Sequence, residues 1–400
     1  MKFNKWTLAL AGVGLVSLAS TAQAAEEQSQ VMTALSSTTL SGYVDTSAIW
    51  KIDGPNGALF GRSFDGGDKV DGFNLHAVKL MLEKPLDEGQ WSAGYKADFI
   101  FGPDANWYGT RLNGTAGATF ADDVAVKQAY VALRAPVGNG LDIKMGVWDT
   151  IIGYEVFETG NNPNFSRSYG FALEPTHHTG VLLSYHVNDM ISVSAGVANE
   201  WTGGINTRGS SDASKTYLGS LTLTLPESAG LFAGSAIYLG VVDGEVTGTA
   251  KDVTSYYLGT TLSTGVEGLS VGAAFDFRDD GAAIVTAGYA PTVALAADNE
   301  AWAAALYVSF QASEKLKLNA RGEYTKGDDG TYYDAGTIAL ADKDNELGAV
   351  TLTADYSLWA NVITRAEARW DHMFSGPGQF GGTDADRDAL TLAANVIYKF

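Results

Sequence analysis

The connections in this 400-residue chain alternate between short and long with a regularity that few folds permit. Sixteen segments alternate apolar and polar residues with a period of two, the pattern of half-buried strands. They run 39–51, 74–84, 90–101, 124–134, 141–149, 179–187, 190–201, 215–225, 231–242, 253–263, 269–278, 301–311, 316–325, 347–357, 362–373 and 389–400. Short turns such as "PLDEG" (85–89), "ND" (188–189), "ASEK" (312–315) and "LWAN" (358–361) join them in pairs. Long polar loops lie between the pairs, at 52–73, 102–123, 150–178, 202–214, 243–252, 279–300, 326–346 and 374–388. A sandwich or solenoid has no reason to keep that parity.

A barrel that crosses a membrane does, because its turns gather on one rim and its loops on the other. Strands of about 9–12 residues suit a tilted crossing of the hydrocarbon layer. The expected fold is therefore all-β: a transmembrane antiparallel β-barrel of about 16 strands over 39–400, with short periplasmic turns and long extracellular loops. Side-chain parity assigns its faces. Leu316, Leu318, Ala320 and Tyr324 oppose Lys317, Asn319, Arg321 and Glu323; Ala366, Ala368 and Trp370 oppose Arg365, Glu367, Arg369 and Asp371. Turning Arg or Lys to lipid at midplane costs about 2–4 kcal/mol, so the charged faces are assigned to the interior. Rings near the strand ends (Trp50, Trp91, Phe101, Trp201, Trp302, Phe310, Trp370, Tyr398 and Phe400) read as two interfacial girdles.

Both ends fit this reading. Residues 1–24 have the form of a secretory signal: Lys2 and Lys5, an apolar run from Trp6 to Ala19, then Ala22-Gln23-Ala24 as cleavage site. A short segment, 25–38, leads into the first strand, which leaves no room for an N-terminal plug. At the other end "ALTLAANVIYKF" alternates through to Phe400. A closing strand must be complete, since an open edge would leave unpaired backbone groups in lipid. Its Tyr398-Lys399-Phe400 ending resembles the C-terminal signal that the barrel assembly machinery of bacterial outer membranes reads.

Other classes are disfavoured. No segment after the leader reaches the roughly 18–20 apolar residues of a spanning helix. A formal charge of −20 repels nucleic acid. With no cysteine there is neither a disulfide framework nor thiolate chemistry. The five histidines show no pairing with a serine or a metal motif, so no enzyme and no cofactor are expected.

The longest connection reads "TIIGYEVFETGNNPNFSRSYGFALEPTHHTG". A loop of this length is usually functional, and its aromatic residues argue against simple disorder. Gly153-Tyr154-Glu155, Asn164-Phe165-Ser166-Arg167-Ser168-Tyr169, Pro175 and His178-Thr179-Gly180 resemble the OmpL-like β-barrel porins of Gram-negative bacteria. That resemblance implies an outer-membrane location and a passive diffusion channel for small hydrophilic solutes and ions. It also implies contact with outer-membrane lipids and lipopolysaccharide, and a homotrimer by analogy with other sixteen-stranded porins. In such porins the loop after the fifth strand folds into the lumen. By resemblance, Glu155, Glu158, Arg167 and Glu174 then form one side of a constriction, facing Arg321, Arg365 and Arg369 with Glu323, Glu367 and Asp371 between them. Paired structural charges are the alternative reading of the same residues.

Inward-facing charges come out nearly balanced, so the acidic excess falls in loops, at Asp65, Asp68, Asp71, Asp328, Asp329, Asp334, Asp342, Asp344, Glu346, Asp384, Asp386 and Asp388. Such a vestibule would favour cations in dilute salt. It could also hold loosely bound Ca²⁺ or Mg²⁺, with "DKDNE" (342–346) the best local candidate. The alternative function is a structural or surface-binding barrel, an adhesin or receptor without significant conductance.

Overall fold

The computed structural model describes residues 31–32, 37–53, 59–108, 110, 123–209, 214–246, 252–280, 299–328, 331–333, 344–376, 378, 380 and 386–400. The leader and most of 25–38 lie outside them, as do Asp329, Asp334, Asp342 and Asp384.

A two-residue strand β1 (Val31–Met32) precedes sixteen barrel strands. These are β2 (Thr39–Lys51), β3 (Gly72–Lys84), β4 (Ser92–Phe101), β5 (Val124–Ala135), β6 (Leu141–Asp149), β7 (His177–His186), β8 (Ile191–Ala198) and β9 (Thr216–Thr224). The second half comprises β10 (Ala236–Glu245), β11 (Asp252–Ser263), β12 (Leu269–Asp280), β13 (Asn299–Gln311), β14 (Leu316–Gly327), β15 (Asn345–Trp359), β16 (Val362–Met373) and β17 (Asp388–Lys399). Each is antiparallel to its chain neighbours, and β17 pairs with β2 to close the ring. All sixteen expected segments are strands. The largest shifts are at β8, which stops at Ala198, and β10, which starts at Ala236 after a 3₁₀ stretch, Glu227–Phe232.

The turns use local side-chain chemistry. At "ND" the Asn188 carboxamide oxygen accepts the amides of Met190 and Ile191, both at 2.9 Å, which reverses the chain in place.

The faces follow parity. Trp91, Met145 and Leu352 point outward and are 76%, 66% and 56% exposed, while Asp98, Arg321 and Asp371 are buried inside. Outward rings form a belt near the long-loop rim. Phe275, Trp302, Tyr324, Phe374, His372 and Trp370 follow one another with centroids 4.8–6.0 Å apart. Trp91, Phe310 and Tyr398 stand exposed near the opposite rim. Trp201 departs from the expected girdle. It lies beyond the end of β8 and is buried, with its indole N–H donating to Ser255 and the Arg278 guanidinium 4.3 Å over its ring. The alternation that suggested an outward tryptophan does not extend past Ala198.

Two bulges break the register. His76 is the extra residue of β3 opposite Asp45 and Thr46 of β2, and Lys127 is the extra residue of β5 opposite Asp98 and Phe99 of β4. Strict parity would have turned both side chains to lipid. The bulges rotate them inward, where each is buried.

Closure is complete to the last residue. The Gly42 amide donates to the Phe400 carbonyl at 2.9 Å, and the Phe400 amide donates to the Gly42 carbonyl at 3.0 Å. A side chain at position 42 would meet the Phe400 ring and the Lys79 carbonyl. Gly42→Leu should therefore overpack the seam, at a cost of about 1–3 kcal/mol. The measurement is heat-modifiable gel mobility across a urea series, where the folded band should vanish at lower urea than in the parent.

Candidate functional site, a loop docked in the barrel lumen

Residues 150–176, between β6 and β7, turn into the barrel and contact its wall on several sides. Backbone inside a lumen has no ladder to satisfy it, so other partners are required. Charged wall residues supply them.

On the β14–β16 side, Arg321 donates to Glu155 at 2.8 Å and to the Ser166 carbonyl at 2.7 Å, and its Nε reaches Glu323 at 2.9 Å. Glu323 in turn accepts the Tyr169 amide at 2.6 Å. Glu367 accepts the amides of Phe165 at 2.6 Å and Ser166 at 3.0 Å. Arg369 donates to the Arg167 carbonyl at 2.6 Å and to Asp371 at 2.8 Å. Arg365 donates to the carbonyls of Thr159 and Asn162 and lies 2.8 Å from Asp355. Asp371 also accepts the Tyr169 hydroxyl at 2.7 Å and Arg62 at 2.9 Å.

Among the described residues Arg167 forms no carboxylate pair. It donates to the carbonyls of Phe165 and Phe157 and to the Thr159 hydroxyl, stapling the loop to itself between the rings of Phe64 and Phe171. Ser168 caps the short helix α1 (Tyr169–Leu173), the one α-helix among the described residues, accepting the Phe171 amide at 3.3 Å.

The opposite end of the loop is held differently. Glu158 lies 2.5 Å from Lys79 and 3.3 Å from Lys127, whose other partner is Asp149. Burial opposes ionisation of Glu158, but Lys127 and Lys79 outweigh it and hold its carboxyl well below the ordinary carboxylate range. Glu174 is the reverse case. Burial first, then Asp276 beside it, push its carboxyl well above that range.

Between these ends the loop rests on apolar wall. Tyr154 stacks on Tyr307 with centroids 4.0 Å apart. Ile152 sits over Gly240 and the Tyr154 hydroxyl over Gly272, positions where a wall side chain would collide with the loop.

The structure thus brings together eight of the ten residues expected at a constriction, leaving Glu158 on Lys79 and Lys127 and Glu174 beside Asp276. It places them in direct contact rather than on two walls across water, because the wall arginines and carboxylates bind the loop backbone itself. Asp65 likewise departs from the expected acidic vestibule: it is buried and paired with Arg62. Asp344 and Glu346 both engage Lys326, and among the described residues no cluster of three or more His, Cys, Asp or Glu could hold a metal ion.

Arg62 and Lys127 were not singled out from the sequence, and Lys79 and Asp276 were expected only as inward-facing wall charges. Lys127 carried a usable signal, since a lysine on lipid-facing parity implies a break in register. Arg62 carried none, because its partner Asp371 is 309 residues away.

A closed sixteen-stranded barrel with an apolar exterior, a charged interior and a long loop folded into the lumen is the architecture of an outer-membrane porin. The chain belongs to the family described as "Putative beta-barrel porin-2, OmpL-like", which matches residues 37–400. No curated protein matches the sequence. Among solved structures it is similar to the outer-membrane channel DcaP of Acinetobacter baumannii, at 14% identity and TM-score 0.56, over 91% of this chain and 97% of that one. Salmonella typhi OmpF gives 13% and 0.57, over 93% and 100%, and an anion-selective porin from Comamonas acidovorans gives 12% and 0.56, over 91% and 99%. These likenesses establish the fold. With the family they identify a porin of the cell outer membrane, and they point to a channel rather than an enzyme.

Removing Arg321 would leave Glu155 and Glu323 buried without their shared cation, so Arg321→Ala should cost about 3–5 kcal/mol. Guanidinium unfolding in micelles measures the loss, with faster protease nicking within 150–176. The two loop ends should also respond oppositely to pH. Glu158 has a depressed pKa in the folded state, so its contribution is complete above about pH 4.3 and is lost as pH falls through the folded value. Glu174 has a raised one, so its contribution is complete below about pH 4.3 and is lost as pH rises through the folded value. Hydrogen exchange, normalised for intrinsic rates, should show the 156–163 region loosening in acid and the 170–176 region loosening in alkali.

Proposed function

We propose that this porin is a passive diffusion channel for small hydrophilic solutes and ions, with the 150–176 loop as its constriction. The water path runs between that loop and the wall formed by β9, β10 and β11. The observation that carries this reading is an asymmetry in how the loop is seated. Its β14–β16 side is sealed by the arginine and carboxylate contacts, whereas unfilled space remains on the other side, reaching Ser220, Thr222, Tyr238 and Tyr257. On this reading Glu155, Arg321, Glu323, Arg365, Glu367, Arg369 and Asp371 set the pore by fixing the loop, while Glu158 and Glu174 fasten its two ends.

A second reading, a barrel with little conductance that serves a structural or surface-binding role, is favoured by one further observation. Leu59, Phe60, Tyr332, Tyr333 and Phe380 from other loops pack with Tyr169 and Leu173 in a buried cluster inside the barrel. Conductance in planar bilayers separates the two readings.

Assembly as a trimer is proposed by extension from OmpT of Vibrio cholerae, described in a trimer form. Recognition of the Tyr398 to Phe400 end by the assembly machinery and contact with lipopolysaccharide belong to the same reading. So does loose binding of Ca²⁺ or Mg²⁺ at acidic loops. Acidic residues at the outer mouth should give reversal potentials that favour cations in dilute salt, with the preference fading as salt rises.

The absence of cysteine makes the path directly testable. With Ser220→Cys or Thr222→Cys, a charged methanethiosulfonate reagent should lower single-channel conductance several-fold. With Thr353→Cys, beneath the docked side of the loop, it should leave conductance unchanged. The opposite pattern would move the path to the β14–β16 side. A deletion of 155–172 that left conductance unchanged would remove the loop from the constriction.

A further inference from the structure

Most carboxylates at the loop have a neutralising partner. Glu155 has Arg321, Glu158 has Lys79 and Lys127, Asp371 has Arg62 and Arg369, and Glu367 has two amides. Glu174 differs, because the charged groups acting on it are Asp276 and Glu155, both acids. Asp276 is buried on the β12 wall, opposite Tyr257 in the β11–β12 ladder.

The two carboxylates are seated by design of the backbone. Gly153, with φ +113°, lies where any side chain would strike the Glu174 carboxylate, and a side chain at Gly170 would strike that of Asp276. Two polar atoms beside them are left over. Asp276 Oδ1 and the Tyr257 hydroxyl are buried and have no hydrogen-bond partner. Buried polar groups are ordinarily satisfied, so an orphaned acceptor and an orphaned hydroxyl on directly paired residues of neighbouring strands call for an occupant. Glu174 and Tyr257 both line the space between loop and wall, together with the rings of Tyr108, Phe157, Phe171 and Tyr238.

We infer that Glu174, Asp276 and Tyr257 form a recognition point for small organic cations, protonated amines carrying an apolar or aromatic group. This rests on the channel reading above and names the solute class that the same path would retain. The ammonium supplies the charge that the acid pair lacks and donates N–H to Asp276 Oδ1 and the Tyr257 oxygen. Its apolar body lies against the aromatic rings, whose faces attract cations. Two carboxyl groups held side by side away from water favour sharing one proton, which would leave a single negative charge for a single cation.

The test uses the full mature chain in detergent and titrates it calorimetrically with benzylammonium chloride, benzyl alcohol and sodium benzoate. Benzylammonium should bind at least about tenfold more tightly than the alcohol, and benzoate least. Glu174→Gln and Tyr257→Phe should each weaken the amine by about tenfold, the loss expected for a charge-assisted hydrogen bond. Equal binding of the three compounds, or amine affinity unchanged in both variants, would overturn the site and leave only a proton-sharing structural pair. Heat-modifiable mobility checks folding, and Tyr257→Phe keeps the test decisive if Glu174→Gln misfolds. Potassium chloride conductance is read in parallel. Amine binding without conductance would support the site and refute the channel, whereas conductance without amine discrimination would do the reverse.

Discussion

No backbone N–H or C=O can be left unpaired in hydrocarbon. The rest of the molecule is arranged around that demand. A sheet meets it by closing, and here the seam runs to the end of the chain, where Phe400 and Gly42 exchange amide hydrogen bonds. Once the ring is closed, every strand has one face in lipid and one in water. The alternation of apolar and charged residues then follows from the cost of each side chain on the wrong face.

A closed ring leaves an interior to be occupied, and an irregular segment placed there raises the same pairing demand again. The wall answers with ionic side chains. Glu367 accepts two consecutive loop amides, while Arg321, Arg365 and Arg369 donate to loop carbonyls. A buried charge is tolerated when it is both paired and hydrogen-bonded. Here Arg321 meets both conditions through the loop it holds. Arg365 and Arg369 pair with wall carboxylates while donating to loop carbonyls, and Glu367 is held by loop amides, so loop position and wall ionisation depend on each other. The wall from β10 to β13 relies instead on tyrosine stacking at Tyr307 and glycine seats at Gly240 and Gly272, and space is left beside β9–β11.

The strands were legible because lipid and water impose a period of two wherever a strand crosses, independent of what the loops do. That rule fixed the inward placement of Arg321, Arg365 and Arg369 from their neighbours alone. It failed where it assumed an unbroken ladder. His76 and Lys127 each occupy an extra position in one strand, and Trp201 lies just past the end of another. The docked geometry of the loop was less accessible still. Its partners come from strands more than a hundred residues away, as with Phe165 and Glu367 or Arg321 and Glu155. Charge pattern could place those groups in one compartment. It could not say that they touch.

The bulge at His76 has a consequence for how this sequence can change. The extra residue lets Asn74 and Lys79 coexist in one strand with Phe73 and Leu75 on the outer surface. Losing that single residue would straighten the ladder and leave the faces as they are, because Ala77 opposite Asp45 and Leu75 opposite Thr46 already alternate once the extra residue is gone. A one-codon deletion at position 76 is therefore absorbed by the sheet, and what it removes is the inward imidazole that meets Ser47, Lys69 and Asp104. A one-residue insertion or loss at an unbulged position of the same strand has no such slack and would turn the residues on one side of it to the opposite face.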